Sequence, residues 1–201
     1  MSILFSGCKN QSKQEKDTTE VNPSEIVLNA PIPDEPVFVI STSMGDMKIK
    51  LYKETPLHKE NFYKLATTGY YDGILFHRVI PGFMIQVGDP YTKDPEKVSQ
   101  YGTGGPGYTV QQEITSQFTH KKGAIAAARR GDAVNPKKES SGSQFYIVQD
   151  AAGCSHLDGQ YTIFGEVLEG LDIVDKIAAV PTNQRGLPNQ EVKIISIKEV
   201  K

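Results

Sequence analysis

The chain has 201 residues and a mass of 22.1 kDa, the size of one domain with some chain left over. It carries 22 Lys+Arg against 24 Asp+Glu, a formal net charge of −2, which argues against broad electrostatic binding of nucleic acid. Two cysteines, Cys8 and Cys154, are too few for a disulfide scaffold or a cysteine-built metal site, and no apolar run reaches the ~18–20 residues of a membrane-spanning helix.

Residues 1–34 carry Lys9, Lys13 and Lys16 against Glu15, Asp17, Glu20, Glu25 and Asp34, a net of −2, so the remainder is formally neutral. From Lys9 to Glu20 the chain is wholly polar. Such a run cannot bury enough apolar surface to offset its ordering entropy, so it reads as a disordered tether. Pro23, Pro31, Pro33 and Pro36 stiffen the approach to the domain, with a short helix over Ser24–Asn29 as the alternative. Ahead of the tether, MSILFSGC resembles the end of a bacterial lipoprotein signal, with Cys8 as the lipidated residue. The match is partial: the apolar run Ile3–Phe5 is below the ~7–15 residues of a signal core, and no basic residue precedes it. Otherwise Cys8 is incidental. Cys154 reads as a small buried hydrophobe. The expected division is residues 1–35 as partial signal and tether, and 36–201 as the folded domain.

Alternation takes over after Pro36. Val37–Ile40 reads as a strand. Gly45 turns the chain, and Met47, Ile49 and Leu51 alternate with Lys48 and Lys50 in a half-buried second strand. Pro56 opens a helix with Leu57, Asn61, Phe62, Leu65 and Ala66 on one face, and Gly69 stops it. Further strands are expected at Leu75–Ile80, Met84–Gly88, Gly123–Ala128, Ser143–Gln149 and Tyr161–Leu168. A second helix runs over about Leu171–Ala179, and a last strand over Glu191–Val200. About eight short strands and two helices predict a mainly β domain, closed as a barrel or stacked as a sandwich.

Three segments carry chemistry. In Phe76–Asp89 (FHRVIPGFMIQVGD), two strands flank a Pro-Gly turn. By period two, Phe76, Arg78 and Ile80 share one face, and Met84 and Gln86 share a face on the next strand. An arginine and a glutamine thus project from apolar strands at matching depth. In Gly142–Ile147 (GSQFYI), Gln144 and Tyr146 lie on the exposed face while Phe145 points to the core. The third, His156–Gly165, is a turn feeding a strand.

These segments, with the glycine-rich Gly102–Gly107, resemble cyclophilin-type peptidyl-prolyl isomerases in residues, order and approximate spacing over most of Val37–Val200. The resemblance implies a closed eight-stranded antiparallel barrel capped by two α-helices, with a substrate groove on its outer surface. It assigns Arg78 to catalysis. It places Phe83, Met84, Tyr146 and Leu157 in a proline pocket, with Gln86 and Gln144 on the flanking backbone and His77 beside them. Ala128 and Arg129 fall where main-chain contacts to the peptide are made, and His156 and Tyr161 would line the rim. The chain departs from the pattern at four places. Tyr146 stands where many members have Phe. His156 stands where the best-known eukaryotic members have Trp, which puts strong cyclosporin binding in doubt. Arg129 replaces a small polar residue, and Asp132–Ser140 is longer than the usual loop.

The implied activity is acceleration of X–Pro bond rotation in unfolded or flexible protein segments. That reaction needs no cofactor, metal, nucleophile or acid–base pair. The alternative is a module that holds proline segments as a chaperone without turnover. The partners implied are Pro-containing polypeptides, with no nucleic acid and no membrane contact except through Cys8. A monomer at the bacterial cell envelope is expected, with the cytoplasm as the alternative. Other chemistries find little support. Pro106 removes a donor from GTGGPG, which also lacks the Lys-Ser/Thr of a phosphate cradle. His58, His77, His120 and His156 show no metal-ligand spacing, and no G-x-S-x-G elbow is present.

Overall fold

The computed structural model describes Leu28 and residues 31–201. Cys8, the polar tether and nearly all of Ser24–Asn29 lie outside the described residues. The strands are β1 (Val37–Thr42), β2 (Gly45–Leu51), β3 (Arg78–Ile80), β4 (Met84–Val87), β5 (Thr109–Val110), β6 (Ala124–Ala127), β7 (Ser140–Ser141), β8 (Phe145–Val148), β9 (Ile163–Glu169) and β10 (Ile194–Glu199). The helices are α1 (Pro56–Thr67) and α2 (Leu171–Ala178). All the expected elements form. The short pair β5–β7 was not anticipated, and β3 and β10 are shorter than their apolar runs.

Eight strands make one antiparallel sheet in the order β10-β1-β2-β9-β6-β8-β4-β3. The sheet curls, but the ladder is not continuous, because β3 and β10 are its two edges. The segment before β3 spans that gap. Gly73 donates to the Ile194 carbonyl at 2.8 Å, Ile194 donates to Ile74 at 2.9 Å, and Phe76 donates to Val192 at 2.8 Å. Irregular backbone thus bridges the gap beside the start of β10, while Val79 of β3 donates to the Gly186 carbonyl at 2.7 Å.

The central strands are apolar on both faces. From β6 and β8, Ile125, Ala127, Phe145 and Ile147 face the inner core with Phe38, Ile49, Phe62, Leu65 and Phe164. Ala124, Ala126, Tyr146 and Val148 face outward into a second cluster with Tyr52, Met84, Cys154 and Ile163. Tyr146 and Gln144, expected on an exposed face, are therefore buried, because loops cover the outer surface. Cys154 is buried, as read. Phe76 departs from the period-two reading. It packs in the inner core, whereas Arg78 and Ile80 face outward, since regular strand geometry begins only at Arg78.

Helix α1 starts at Pro56, whose missing N–H costs nothing at that position. Its N-cap, Thr55, makes no side-chain bond. Glu113 caps the helix instead, accepting from the Leu57 and His58 amides at 2.9 Å each. It also meets His58 Nδ1 at 2.6 Å, while His58 Nε2 lies 2.9 Å from Ser140 Oγ. The buried face holds His58, Phe62, Leu65 and Ala66, and Leu57 is 45% exposed rather than buried. In α2, Ile173, Val174, Ile177 and Ala178 seal the inner core.

Candidate active site

Strand register builds the site. The Pro81-Gly82 turn, with Gly82 at φ 71°, returns the chain so that Arg78 pairs with Gln86 and Ile80 with Met84. Gln86 in turn pairs with Tyr146, and Tyr146 with Ala126. Arg78, Gln86 and Tyr146 thus stand side by side on the outer face. They border a cavity of about 130 Å³ lined by Arg78, Phe83, Met84, Gln86, Ala128, Arg129, Tyr146, Leu157 and Tyr161. Apolar walls with one cationic rim suit a small ring attached to a polar backbone.

Arg78 reaches over the Phe83 ring, with Cζ 5.8 Å from its centroid, and places Nη1 3.8 Å from Met84 Sδ. Among the described residues it forms no ion pair, so its donors are not consumed by a carboxylate. Gln86 Nε2 donates to Gln144 Oε1 at 3.1 Å, and Gln144 Nε2 donates to the Gly104 carbonyl at 2.8 Å. Both ends of the Gln144 amide are engaged, so it braces Gln86.

The glycine-rich loop is held by Asp89, not by a phosphate. Its carboxylate, fully buried, accepts from the amides of Tyr91, Gly102 and Gly104. A Cβ on Gly104 would stand 2.1 Å from Asp89 Oδ1, so only glycine permits this approach. The loop forms one wall of a larger cavity of about 690 Å³, which shares Gln86, Ala128 and Arg129 with the first. Arg129 does not add free charge to the groove. Its guanidinium is buried against Asp132, donates to the Arg130 and Gln160 carbonyls, and lies 4.7 Å from the Tyr161 centroid.

Three expected site residues stand outside the 130 Å³ cavity. Gln144 lines the larger one. His156 is exposed, its ring 5.9 Å from that of Phe83. His77 lines a neighbouring cleft of about 200 Å³ with Arg78, Gln86 and Arg185. It is 6% exposed with neither ring nitrogen partnered, and burial pushes its pKa down to about 4, against the opposing pull of Asp89. His77 is therefore neutral at physiological pH.

Sequence reasoning passed over His120 and Asp158. His120 Nε2 lies 2.9 Å from Tyr146 Oη, and its Nδ1 lies 2.7 Å from Asp158 Oδ1. Asp158 sits next to Leu157 in the LDG turn, which was the available signal. His120 has no neighbour in sequence that marks it. A second relay, Ser140–His58–Glu113, has the order of a hydrolytic triad, but His58 and Ser140 are buried. Neither Ser140 nor Glu113 lines the small void beside His58. No substrate reaches that hydroxyl, and the relay ties the β5–β7 pair to α1. Among the described residues, no group of three or more His, Cys, Asp or Glu side chains is placed to hold a metal ion.

Comparison with known proteins agrees with this geometry. The family model described as cyclophilin type peptidyl-prolyl cis-trans isomerase/CLD matches residues 37–199. A peptidyl-prolyl cis-trans isomerase of Acinetobacter baylyi is 38% identical over 167 residues, covering 79% of this chain and 82% of the relative. One from Helicobacter pylori is 39% identical over 142 residues, covering 69% and 77%. The match to a peptidyl-prolyl cis-trans isomerase-like 2 protein of Rhizopus delemar, 37% identical, spans 79% of this chain but only 28% of that longer relative. The crystal structure of a Cryptosporidium parvum cyclophilin type isomerase superposes with a TM-score of 0.73 at 29% identity, covering 83% of this chain and 98% of that one. The same protein, crystallised in the presence of the dipeptide Ala-Pro, gives a TM-score of 0.70 at 30% identity, covering 80% and 96%. The arginine-rimmed apolar pocket, the eight-stranded curled sheet and these matches agree: the chain belongs to the cyclophilin-type peptidyl-prolyl cis-trans isomerases.

Proposed function

We propose that Arg78 is the catalytic residue and that the 130 Å³ cavity takes the proline ring of extended, flexible protein segments. The observation that carries this is the pairing of Arg78 with Gln86 at the rim of that cavity, with no carboxylate among the described residues on the guanidinium. A planar X–Pro amide rotates over a barrier of ~18–20 kcal/mol. As the bond twists, resonance is lost and the proline nitrogen regains a lone pair. A donor aimed at that nitrogen stabilises the twisted state more than either planar one, and this difference is what lowers the barrier. Arginine suits the task because it stays protonated and offers donors in a rigid fork. Phe83, Met84, Tyr146 and Leu157 grip the ring while the preceding carbonyl turns, and Gln86 holds the flanking backbone. The dipeptide named for the Cryptosporidium structure supports a proline-containing ligand.

A protease-coupled assay on an Ala-Pro peptide tests this. Arg78→Ala is expected to lower kcat/KM by about 10²–10³-fold, the effect of deleting one transition-state donor. Full activity in that variant would refute the mechanism. Binding of proline peptides without acceleration by the wild type would establish the holding module instead.

We also propose that Cys8 carries a lipid, that the polar run after it spaces the domain from a bacterial envelope membrane, and that the domain acts as a monomer without nucleic-acid partners. The Ser-Gly-Cys patch and the tether support this. Mass spectrometry of the mature N-terminus tests it, and an unmodified chain beginning at Met1 in the soluble fraction would rule it out.

A further inference from the structure

Tyr146 sets a problem for a proline pocket. It is on the pocket floor and 5% exposed, yet it ends in a hydroxyl that needs a partner. The structure supplies one from behind the floor. His120, whose side chain is fully buried, places Nε2 2.9 Å from Tyr146 Oη. The two ring planes differ by 10° with centroids 6.0 Å apart, so the rings meet edge to edge through that bond. On the other side, Asp158 Oδ1 accepts from the His120 backbone amide at 2.8 Å and lies 2.7 Å from Nδ1.

This sequence of contacts fixes the protons. Desolvation acts against the Asp158 carboxylate, but the bonds from His120 outweigh it and hold the group below the usual carboxylate range. A carboxylate only accepts, so His120 Nδ1 carries the ring proton and Nε2 offers a lone pair. Burial pushes the imidazole down in spite of Asp158, which keeps it neutral. The Tyr146 hydroxyl therefore donates away from the pocket.

We propose that His120 is a positioning residue, oriented by Asp158, that withdraws the Tyr146 hydroxyl from the proline pocket, so that the floor meets the substrate as a phenylalanine would. The proposal rests on the pocket being the proline site. Without His120, the hydroxyl takes up water in the pocket, and the entering ring displaces that water and leaves a buried donor unpaired. The penalty falls equally on bound ground state and transition state, so it raises KM and spares kcat.

The test is isomerisation of an Ala-Pro peptide by wild type, His120→Leu, His120→Gln and the His120→Leu/Tyr146→Phe double variant. His120→Leu is expected to raise KM about tenfold with kcat within about twofold. His120→Gln both donates and accepts along the same line, and is expected to stay within about threefold in KM. Adding Tyr146→Phe to His120→Leu is expected to recover most of the lost KM. A wild-type KM in His120→Leu overturns the proposal, as does a double variant no better than the single. If His120→Leu does not fold by circular dichroism, Asp158→Asn with and without Tyr146→Phe decides the matter. A raised KM relieved by the second change supports the proposal, and any other pattern overturns it. An inactive wild type would instead sink the assignment of the proline site.

Discussion

Replacing Glu113 by alanine removes the side-chain cap at the N-terminus of α1 and breaks the relay behind it. Three donors lose their acceptor: the Leu57 amide at 2.9 Å, the His58 amide at 2.9 Å and His58 Nδ1 at 2.6 Å. Leu57 is exposed and rehydrates readily. The His58 ring is 3% exposed and does not, so its orphaned N–H costs about 1–3 kcal/mol. Loss of the helix cap adds about 1 kcal/mol. The expected destabilisation is about 3 kcal/mol, or roughly 9 °C in Tm for a domain of this size. Urea unfolding followed by tryptophan is closed to this chain, which has none, so circular dichroism is the probe. Glu113→Gln keeps one acceptor and should fall between. The pH dependence has a definite sign. Burial acts against the Glu113 charge, but the bonds from His58 and the helix amides win, so its folded pKa lies below 4.5. Its contribution is present above that value and is lost as pH falls through the folded pKa, so the gap between wild type and Glu113→Ala should close in acid. A gap under about 1 kcal/mol at pH 7, or one that is unchanged in acid, would refute the capping argument.

Three further outcomes are expected. His77 is held neutral by burial, with a folded pKa of about 4 against 6.5 for the free side chain. Stability should fall as pH drops from 6.5 toward 4, where the unfolded chain gains a proton that the folded one refuses, and His77→Gln should flatten that limb. An NMR titration placing His77 near 6.5 would contradict this. Gly104→Ala drives a methyl to 2.1 Å from Asp89 Oδ1, so the loop must leave the carboxylate. KM for an Ala-Pro peptide should rise while the strand signal in circular dichroism persists, and an unchanged KM would show that the loop does not shape the groove. Arg78→Lys keeps the charge but loses the planar fork, and is expected to recover less than a tenth of the activity lost in Arg78→Ala. Near-complete recovery would mean that charge alone suffices.

The active strands were legible because their information is local. Period-two alternation across a Pro-Gly turn put Arg78 opposite Gln86, and the register confirms it. The apolar runs at 124–127 and 145–148 marked strands, and only the sheet order makes them central. Alternation within the second run set Tyr146 on an exposed face, and the structure buries it, because period two cannot see the loops that cover the outer surface. Where local pattern met irregular backbone, it misled. Phe76 reads as in phase with Arg78, but the ladder begins at Arg78 and the ring turns inward.

What the chain order could establish was the strand plan, which follows from short-range spacing, and a resemblance to a family, which implied the nine residues that line one cavity. What folding alone decided is who partners the buried polar groups. Glu113 caps a helix 55 residues away, His120 takes a hydroxyl 26 residues on, and Asp89 gathers the amides of a loop 13 and 15 residues downstream. The gap between the two edge strands is likewise closed by backbone bonds between segments more than a hundred residues apart. Each of these pairings is set by desolvation. Burying a donor or acceptor demands a partner, and which one is in reach depends on how the strands stack in space rather than on their order along the chain.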